Sequence, residues 1–247
     1  MSKTDNIVLL IDEGNTFAKW AIFTNDRLIE NGVEKAISRV FLAKLKKRHP
    51  TLSTIFLSTV RAKGLTNLVL GKTWQLHQLS PKSKIPFKNK YRSENSLGAD
   101  RIALVTAACS FYPSHPVLII GTGTCVTYNF KDHKNQFWGG AISPGLQMRL
   151  DAMASYTAKL PLVKAINATD TSGTDTHSAL LKGALEGLAH EINGFIDSYK
   201  KENGASLKIM LAGGDALRLE SFIKKRIFVE PNLGLYGLLS LYQLNHK

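Results

Sequence analysis

The segment Asp12-Glu13-Gly14-Asn15-Thr16 sets a carboxylate, a flexible glycine and two hydrogen-bonding side chains side by side. Backbone N–H groups at such a turn can form an anion-binding nest, and a carboxylate beside them can hold Mg²⁺ directly or through water. A plain Asn/Gly hairpin turn without a ligand fits the same residues. A second turn, Gly121-Thr122-Gly123-Thr124, has no acid, but its glycines and hydroxyls suit phosphate contact. A third, Ala212-Gly213-Gly214-Asp215, ends a strand-like run and could let a nucleotide approach the backbone. Any one of these is a weak signal; together they favour a nucleotide site. Gly98-Ala99-Asp100-Arg101 opens a predicted helix. An Asp there lies in the favourable field of the helix N-terminus and stays ionised, so it can accept the proton of an attacking hydroxyl. The adjacent Arg can pair with a carboxylate or phosphate. A capping Asp followed by a surface Arg is the competing reading.

These residues need elements to hold them. Residues 6–23 read as an apolar strand, a short polar turn and a second β-rich run, and residues 116–130 repeat that pattern. Helical periodicity is predicted over 36–48, 99–112, 178–202 and 234–244, with further strands over 54–59 and before Gly213. Hairpins followed by helices and more strand, twice in one chain, predict two related α/β domains facing a cleft. The expected division is 1–114, carrying the first phosphate loop and the Gly98–Arg101 motif, and 115–247, carrying the second phosphate turn and the adenosine region.

Composition narrows the class. With 44% hydrophobic and 21% charged residues over 247 positions, the chain is ordinary for a globular protein with a real core. The apolar run Ile7 to Ile11 is followed at once by an acid, which is not the layout of a signal peptide. No stretch reaches the roughly 18 to 20 apolar residues of a membrane span, so a cytoplasmic protein is expected, with no membrane partner. Cys109 and Cys125 are too few for a disulfide framework and read as inert packed thiols, and the 7 histidines show no metal-ligand spacing. The net charge of +13 sits in separate clusters without interleaved aromatics, so no nucleic-acid partner is expected.

Asp-x-Gly-Asn-Thr after the first strand, Leu-Gly-Ala-Asp-Arg at 97–101, a Gly-Thr turn before a Thr-rich strand and Gly-Gly-Ala-Ile-Ser-Pro-Gly at 139–145 resemble the type III pantothenate kinases. Thr-Ala-Lys-Leu-Pro at 157–161, the glycines at 213–214 and Leu-Tyr-Gly-Leu-Leu at 235–239 fit in order, across nearly the whole chain. The resemblance implies a duplicated actin-like ATPase (ribonuclease H-like) fold, a homodimer, and phosphorylation of pantothenate by ATP with Mg²⁺ at the head of coenzyme A synthesis. It implies that Asp12, Glu13, Gly14, Asn15, Thr16, Phe17, Ala18 and Lys19 form the first phosphate loop and that Thr124 contacts ATP. It assigns Tyr91, Gly98, Ala99, Asp100, Arg101 and Thr176 to pantothenate, with Asp100 as the base. The family's monovalent cation (K⁺ or NH₄⁺) is expected, but Gly121 stands where an Asp usually heads the second turn, and Asn129 where many relatives have Asp. A family relative serving as a regulatory factor is the alternative, separated by an assay of pantothenate-dependent turnover. An actin-like kinase acting on another small alcohol is the third reading, against which loss of pantothenate binding on changing Tyr91 or Arg101 would count.

Overall fold

A computed structural model of the chain describes residues 7–61, 65, 73–93, 97–165 and 172–246. Of the first predicted hairpin, Asn6 lies outside the described residues. The first apolar run forms β1 (Ile7–Glu13), which turns into β2 (Ala18–Thr24) and then β3 (Arg27–Glu34). These three strands are antiparallel neighbours; β4 (Thr54–Thr59) adds parallel on the other side of β1, and β5 (Gln75–Gln78) adds parallel to β4. The sheet order is β3-β2-β1-β4-β5. Helix α1 (Arg39–Arg48) joins β3 to β4, and its first turn is capped by Ser38, whose hydroxyl accepts the Phe41 N–H.

The second half repeats the pattern. Strands β7 (Val117–Thr122), β8 (Cys125–Lys131) and β9 (Gln136–Pro144) form an antiparallel meander, and β10 (Lys208–Gly213) and β11 (Phe228–Val229) add parallel beyond β7. Read from the meander edge, the order β9-β8-β7-β10-β11 matches that of the first sheet, with the short β6 (Lys88–Asn89) added beside β9. The meander is carried on by α3 (Leu146–Tyr156) and α4 (Thr176–Asn203), and α5 (Ala216–Glu220) follows β10. Helix α4 starts two residues before the expected position because Asp175 caps it, accepting the His177 and Ser178 N–H groups while Ser178 answers the Asp175 N–H.

Strand alternation splits the first sheet into two faces. On one face Val8, Leu10, Ala21, Phe23 and Phe56 pack against helices α2 (Ala99–Phe111) and α6 (Leu233–His246), through Ala103, Leu235, Leu238, Leu239, Leu241 and Tyr242. On the other, Leu9, Ile11, Trp20, Ile22, Ile55 and Leu57 pack against Leu42 and Leu45 of α1. In the second sheet, Leu118, Ile120, Tyr128, Ile209 and Leu211 meet the apolar stripe of α4, from Leu181 through Leu188 and Ile192 to Ile196.

The chain divides into two compact units, and they do not follow the contiguous division 1–114 and 115–247. The first unit takes 1–88, 92–110 and 233–247; the second takes 89–91 and 111–232. The reason is the apolar stripe of α6, which is buried in the core of the first sheet although it closes the chain. Among the described residues, no helix is long and apolar enough to cross a membrane. Cys109 is buried and Cys125 half-buried, and neither forms a disulfide.

Candidate functional site

In the first unit the alternation that sorts the core also sorts the polar residues at its end. Asp12 follows Val8 and Leu10 on the face covered by α2 and α6; its register partners are Lys19 on β2 and Ser58 on β4. Ser58 is fully buried and its hydroxyl donates to Asp12 Oδ1 at 3.1 Å. Burial, followed by the negative charge of Asp100, pushes the Asp12 carboxyl up to about 6, against the pull of the Ser58 hydrogen bond and of Lys19. Asp100 is thus an electrostatic neighbour of Asp12, exposed, at the second position of α2, where the first helical bond runs from the Ile102 N–H to the Gly98 carbonyl. A Cβ at Gly98 would lie 2.4 Å from Asp100 Oδ1, so any side chain there would have to displace the Asp100 carboxylate. Arg101 is only 5% exposed, which sets aside the reading of a surface arginine.

Glu13 does something else. One residue on from Asp12, it faces the opposite side of the sheet, is 1% exposed, and its carboxylate oxygens accept the Leu65 N–H at 3.2 and 3.1 Å. Its carboxylate holds the fold, leaving its backbone to the turn. Gly14, Asn15, Thr16 and Phe17 bridge β1 to β2, closed by the Gly14 N–H donating to the Phe17 carbonyl at 3.0 Å. Asn15, Thr16 and Phe17 are exposed, Ala18 is buried, and Lys19 is half-buried. The sequence reading missed Arg61, just beyond β4. Its Nε donates to the Gly14 carbonyl at 2.6 Å and its Nη1 to the Lys35 carbonyl at 3.2 Å.

In the second unit, glycines draw strand ends together. Gly145, after β9, donates its N–H to the Thr124 carbonyl at 3.1 Å, and a Cβ on it would lie 2.1 Å from the Gly123 carbonyl oxygen. Gly213, at φ +103, lies against Thr122, whose hydroxyl donates to the Ala212 carbonyl at 2.7 Å. A Cβ on Gly213 would come 1.8 Å from the Thr122 carbonyl oxygen. The second and third predicted glycine turns therefore meet at the ends of β7 and β10, with Gly123 and Thr124 exposed above them. The end of β9 is held by a polar cluster: Glu191 of α4 accepts from Tyr128 at 2.8 Å, from Ser143 at 3.1 Å, and from Arg149, which also donates to the Pro144 carbonyl at 2.9 Å.

Tyr91 lies over Gly139, where a Cβ would meet its ring at 2.8 Å; Gly139 has φ +93 and its neighbour Gly140 φ +148. Thr176 is the exposed first residue of α4. Gly121 is half-buried within β7, paired with Thr127, and Asn129 is fully buried in β8, donating to the Ile119 carbonyl at 3.3 Å and to Thr127 Oγ1 at 3.1 Å. The Asn129 side chain is committed to the inside of the sheet. Among the described residues, no group of three or more His, Cys, Asp and Glu could hold a metal ion unaided. A half-buried Asp12 with a raised proton affinity, a second acid nearby and an exposed turn fit an ion held by few carboxylates and completed by phosphate oxygens.

Comparison with known proteins agrees with this geometry. The family model described as type III pantothenate kinase matches residues 8–198. A type III pantothenate kinase of Christiangramia forsetii is 40% identical, covering 96% of this chain and 98% of the relative, and one of Flavobacterium johnsoniae is 35% identical with the same coverage. Among solved structures, a Campylobacter jejuni protein described as a Baf family transcriptional activator aligns with TM-score 0.61 at 20% identity, over 95% of this chain and 97% of that one. A glucokinase from an Antarctic psychrotroph aligns with TM-score 0.51 at 14% identity, over 99% and 100%. At such identities these two show the fold alone, the two-domain actin-like ATPase fold that the resemblance implied. With the family model spanning most of its length and its relatives aligning almost end to end, the chain belongs to the type III pantothenate kinase family.

Proposed function

We propose that the protein transfers the γ-phosphoryl group of ATP to the primary hydroxyl of pantothenate, giving 4′-phosphopantothenate and ADP, the first step of coenzyme A synthesis. The observation that carries this reading is the pairing of Asp12 and Asp100 at one end of the first sheet, each in a different environment. Asp12 sits beside an exposed turn with Lys19 and Ser58 as partners; it would hold Mg²⁺, which neutralises phosphate charge when bound. Asp100 sits at the start of a helix, exposed and free to meet a hydroxyl. In the transfer, Asp100 takes the hydroxyl proton as the oxygen attacks the γ-phosphorus, and the bond to the β,γ-bridging oxygen breaks with ADP as leaving group.

The turn residues Asn15 to Phe17 cradle phosphate through backbone N–H groups, with Gly14 closing the turn, Ala18 as its buried anchor and Lys19 supplying positive charge. Glu13 contributes through its backbone. Thr124, on the turn braced by Gly145, contacts ATP from the second unit. Gly98, Ala99, Arg101, Tyr91 and Thr176 bind pantothenate, with Arg101 facing its carboxylate. The protein works as a cytoplasmic homodimer. At Gly121 only backbone oxygen is offered to a monovalent cation, so turnover is expected to respond weakly to K⁺ or NH₄⁺.

The test is ADP release from Mg-ATP with and without pantothenate, at matched ionic strength with and without K⁺ or NH₄⁺. Pantothenate-dependent release is the expected result, and none from folded protein would sink the proposal. Asp100→Asn should lower kcat by about 10²–10⁴-fold, the range of general-base catalysis, with the circular dichroism spectrum unchanged. Turnover unaffected by that change would remove Asp100 from the mechanism.

A further inference from the structure

The segment after β4 is fastened to the first turn by more bonds than a passing loop requires. The Val60 N–H donates to the Glu13 carbonyl at 3.1 Å, and the Leu65 N–H donates to the Glu13 carboxylate. Between them Arg61 reaches the Gly14 carbonyl at 2.6 Å and the Lys35 carbonyl at 3.2 Å, while its own N–H donates to Thr59 Oγ1 at 3.1 Å. Arg61 is half-buried; anchored at the end of β4 by its backbone, it ties the start of the turn after β1 to the exit from β3 through its guanidinium. A charge-assisted bond from a guanidinium to a carbonyl is about twice as strong as a neutral one.

The consequence for the turn follows from the planar peptide. No described peptide bond is cis, so the Gly14 carbonyl and the Asn15 N–H point in opposite directions within one rigid plane. Holding the carbonyl toward Arg61 turns the Asn15 N–H the other way, away from the guanidinium. A Gly14 carbonyl left free to rotate could instead present its negative end to an incoming phosphate and withdraw the N–H. Gly14 makes such rotation easy, having no Cβ to resist it.

We infer that Arg61 is a positioning residue for the nucleotide: it fixes the Gly14–Asn15 peptide so that the turn meets the triphosphate with N–H groups rather than a carbonyl. This rests on the reading of the first turn as a phosphate loop. It predicts an effect on nucleotide affinity rather than on the base at Asp100 or on pantothenate.

The experiment measures binding of Mg²⁺ with a non-hydrolysable ATP analogue by titration calorimetry, alongside pantothenate-dependent turnover, for the full chain and for Arg61→Met and Arg61→Lys. Arg61→Met keeps the aliphatic length but has no donor; its analogue affinity and its KM for ATP should worsen by about tenfold, the effect of one charge-assisted hydrogen bond. Its KM for pantothenate should stay unchanged. Arg61→Lys can still reach the Gly14 carbonyl and should recover most of the loss. Unchanged analogue affinity in Arg61→Met overturns the inference, as does a parallel rise in KM for both substrates, which would mark a merely structural role. Wild-type chain that binds the analogue but does not turn over pantothenate would defeat the proposed reaction while leaving the Arg61 comparison standing. Wild-type chain that binds no nucleotide would defeat both.

Discussion

At the scale of single residues, Asp12 and Glu13 show how neighbours of one chemical type acquire opposite duties. Side chains alternate across a strand, so one carboxylate reaches the Asp100 end of the sheet and the other reaches Leu65. The Asp12 position is costly, because burial and Asp100 raise its proton affinity to about 6. The folded chain therefore binds this proton more tightly than the unfolded chain. That contribution to stability is fully present below the ordinary Asp value of 3.8 and is lost as pH rises through about 6. In metal-free protein, Asp12→Asn should consequently be more stable than the parent at about pH 7.5, by about 1–3 kcal/mol. The new amide can still accept from Ser58 without carrying the charge. The gain should fade as the denaturation series is carried down toward about pH 4, where the parent Asp is protonated. Equal or lower stability at neutral pH would mean that the site is better solvated than its burial indicates. If Asp12 holds the ion as proposed, activity should be lost in the same variant, because the gain in stability comes from removing that carboxylate. The positions of Asp12 and Asp100 were legible in the sequence because an apolar run ending at a polar turn and an acid opening a helical pattern are local signals. Arg61 was not, because its role exists only once the fold brings it to Gly14, 47 residues away.

At the scale of elements, what could be read depended on how far an element's purpose is local. The strand Thr54–Thr59 and the helix ending at Phe111 stand almost where their apolar patterns place them. Strand β9 and helix α3 were not predicted. Gly139, Gly140, Ser143 and Pro144 are poor strand formers, yet they lie in β9, and at the two glycines close neighbours leave no room for a side chain. Gly140 passes so close to Tyr128 that a Cβ would lie 1.9 Å from its carbonyl oxygen, and Gly145 closes on the Gly123–Thr124 turn. Two glycine-to-alanine changes separate these cases. Gly145→Ala must push the backbone of the second turn aside, so it should cost about 1–3 kcal/mol in stability and raise KM for ATP. Gly194→Ala, on an exposed stretch of α4 with open space around it, should stabilise by about 0.5–1 kcal/mol and leave KM alone. Chemical denaturation and steady-state kinetics on the pair check both signs. A neutral Gly145→Ala would show that the turn gives way without loss, and that its glycine is not what shapes it.

At the scale of the molecule, duplication was visible in the repeated hairpins, and the matching strand orders of the two sheets bear it out. The membership of the last helix was not visible, because an apolar stripe states that a helix is buried and does not state against which sheet. Helix α6 follows the second sheet in sequence but lies in the first unit, with Leu235, Leu238, Leu239, Leu241 and Tyr242 in one cluster with Val8, Leu10 and Phe56. Gly237 allows this approach to α2, since a Cβ there would lie 1.8 Å from the Ala103 carbonyl oxygen. Five large buried side chains at about 1.5–3 kcal/mol each rival the whole stability of a domain. The first sheet therefore depends on the last residues of the chain. Leu238→Ala, at a fully buried site, should cost about 2–5 kcal/mol. Hydrogen exchange should locate that loss in β1 and β4 of the first sheet, while β7 and β10 keep their protection. If β7 and β10 were instead the strands to lose protection, α6 would belong energetically with the second sheet, and the contiguous division at residue 114 would be the better description. Protection lost equally in both sheets would mean that the two units unfold together. The expected pattern makes the closure of the first sheet, and of the Asp12–Asp100 site at its end, depend on residues 233–246, more than 170 positions after β4.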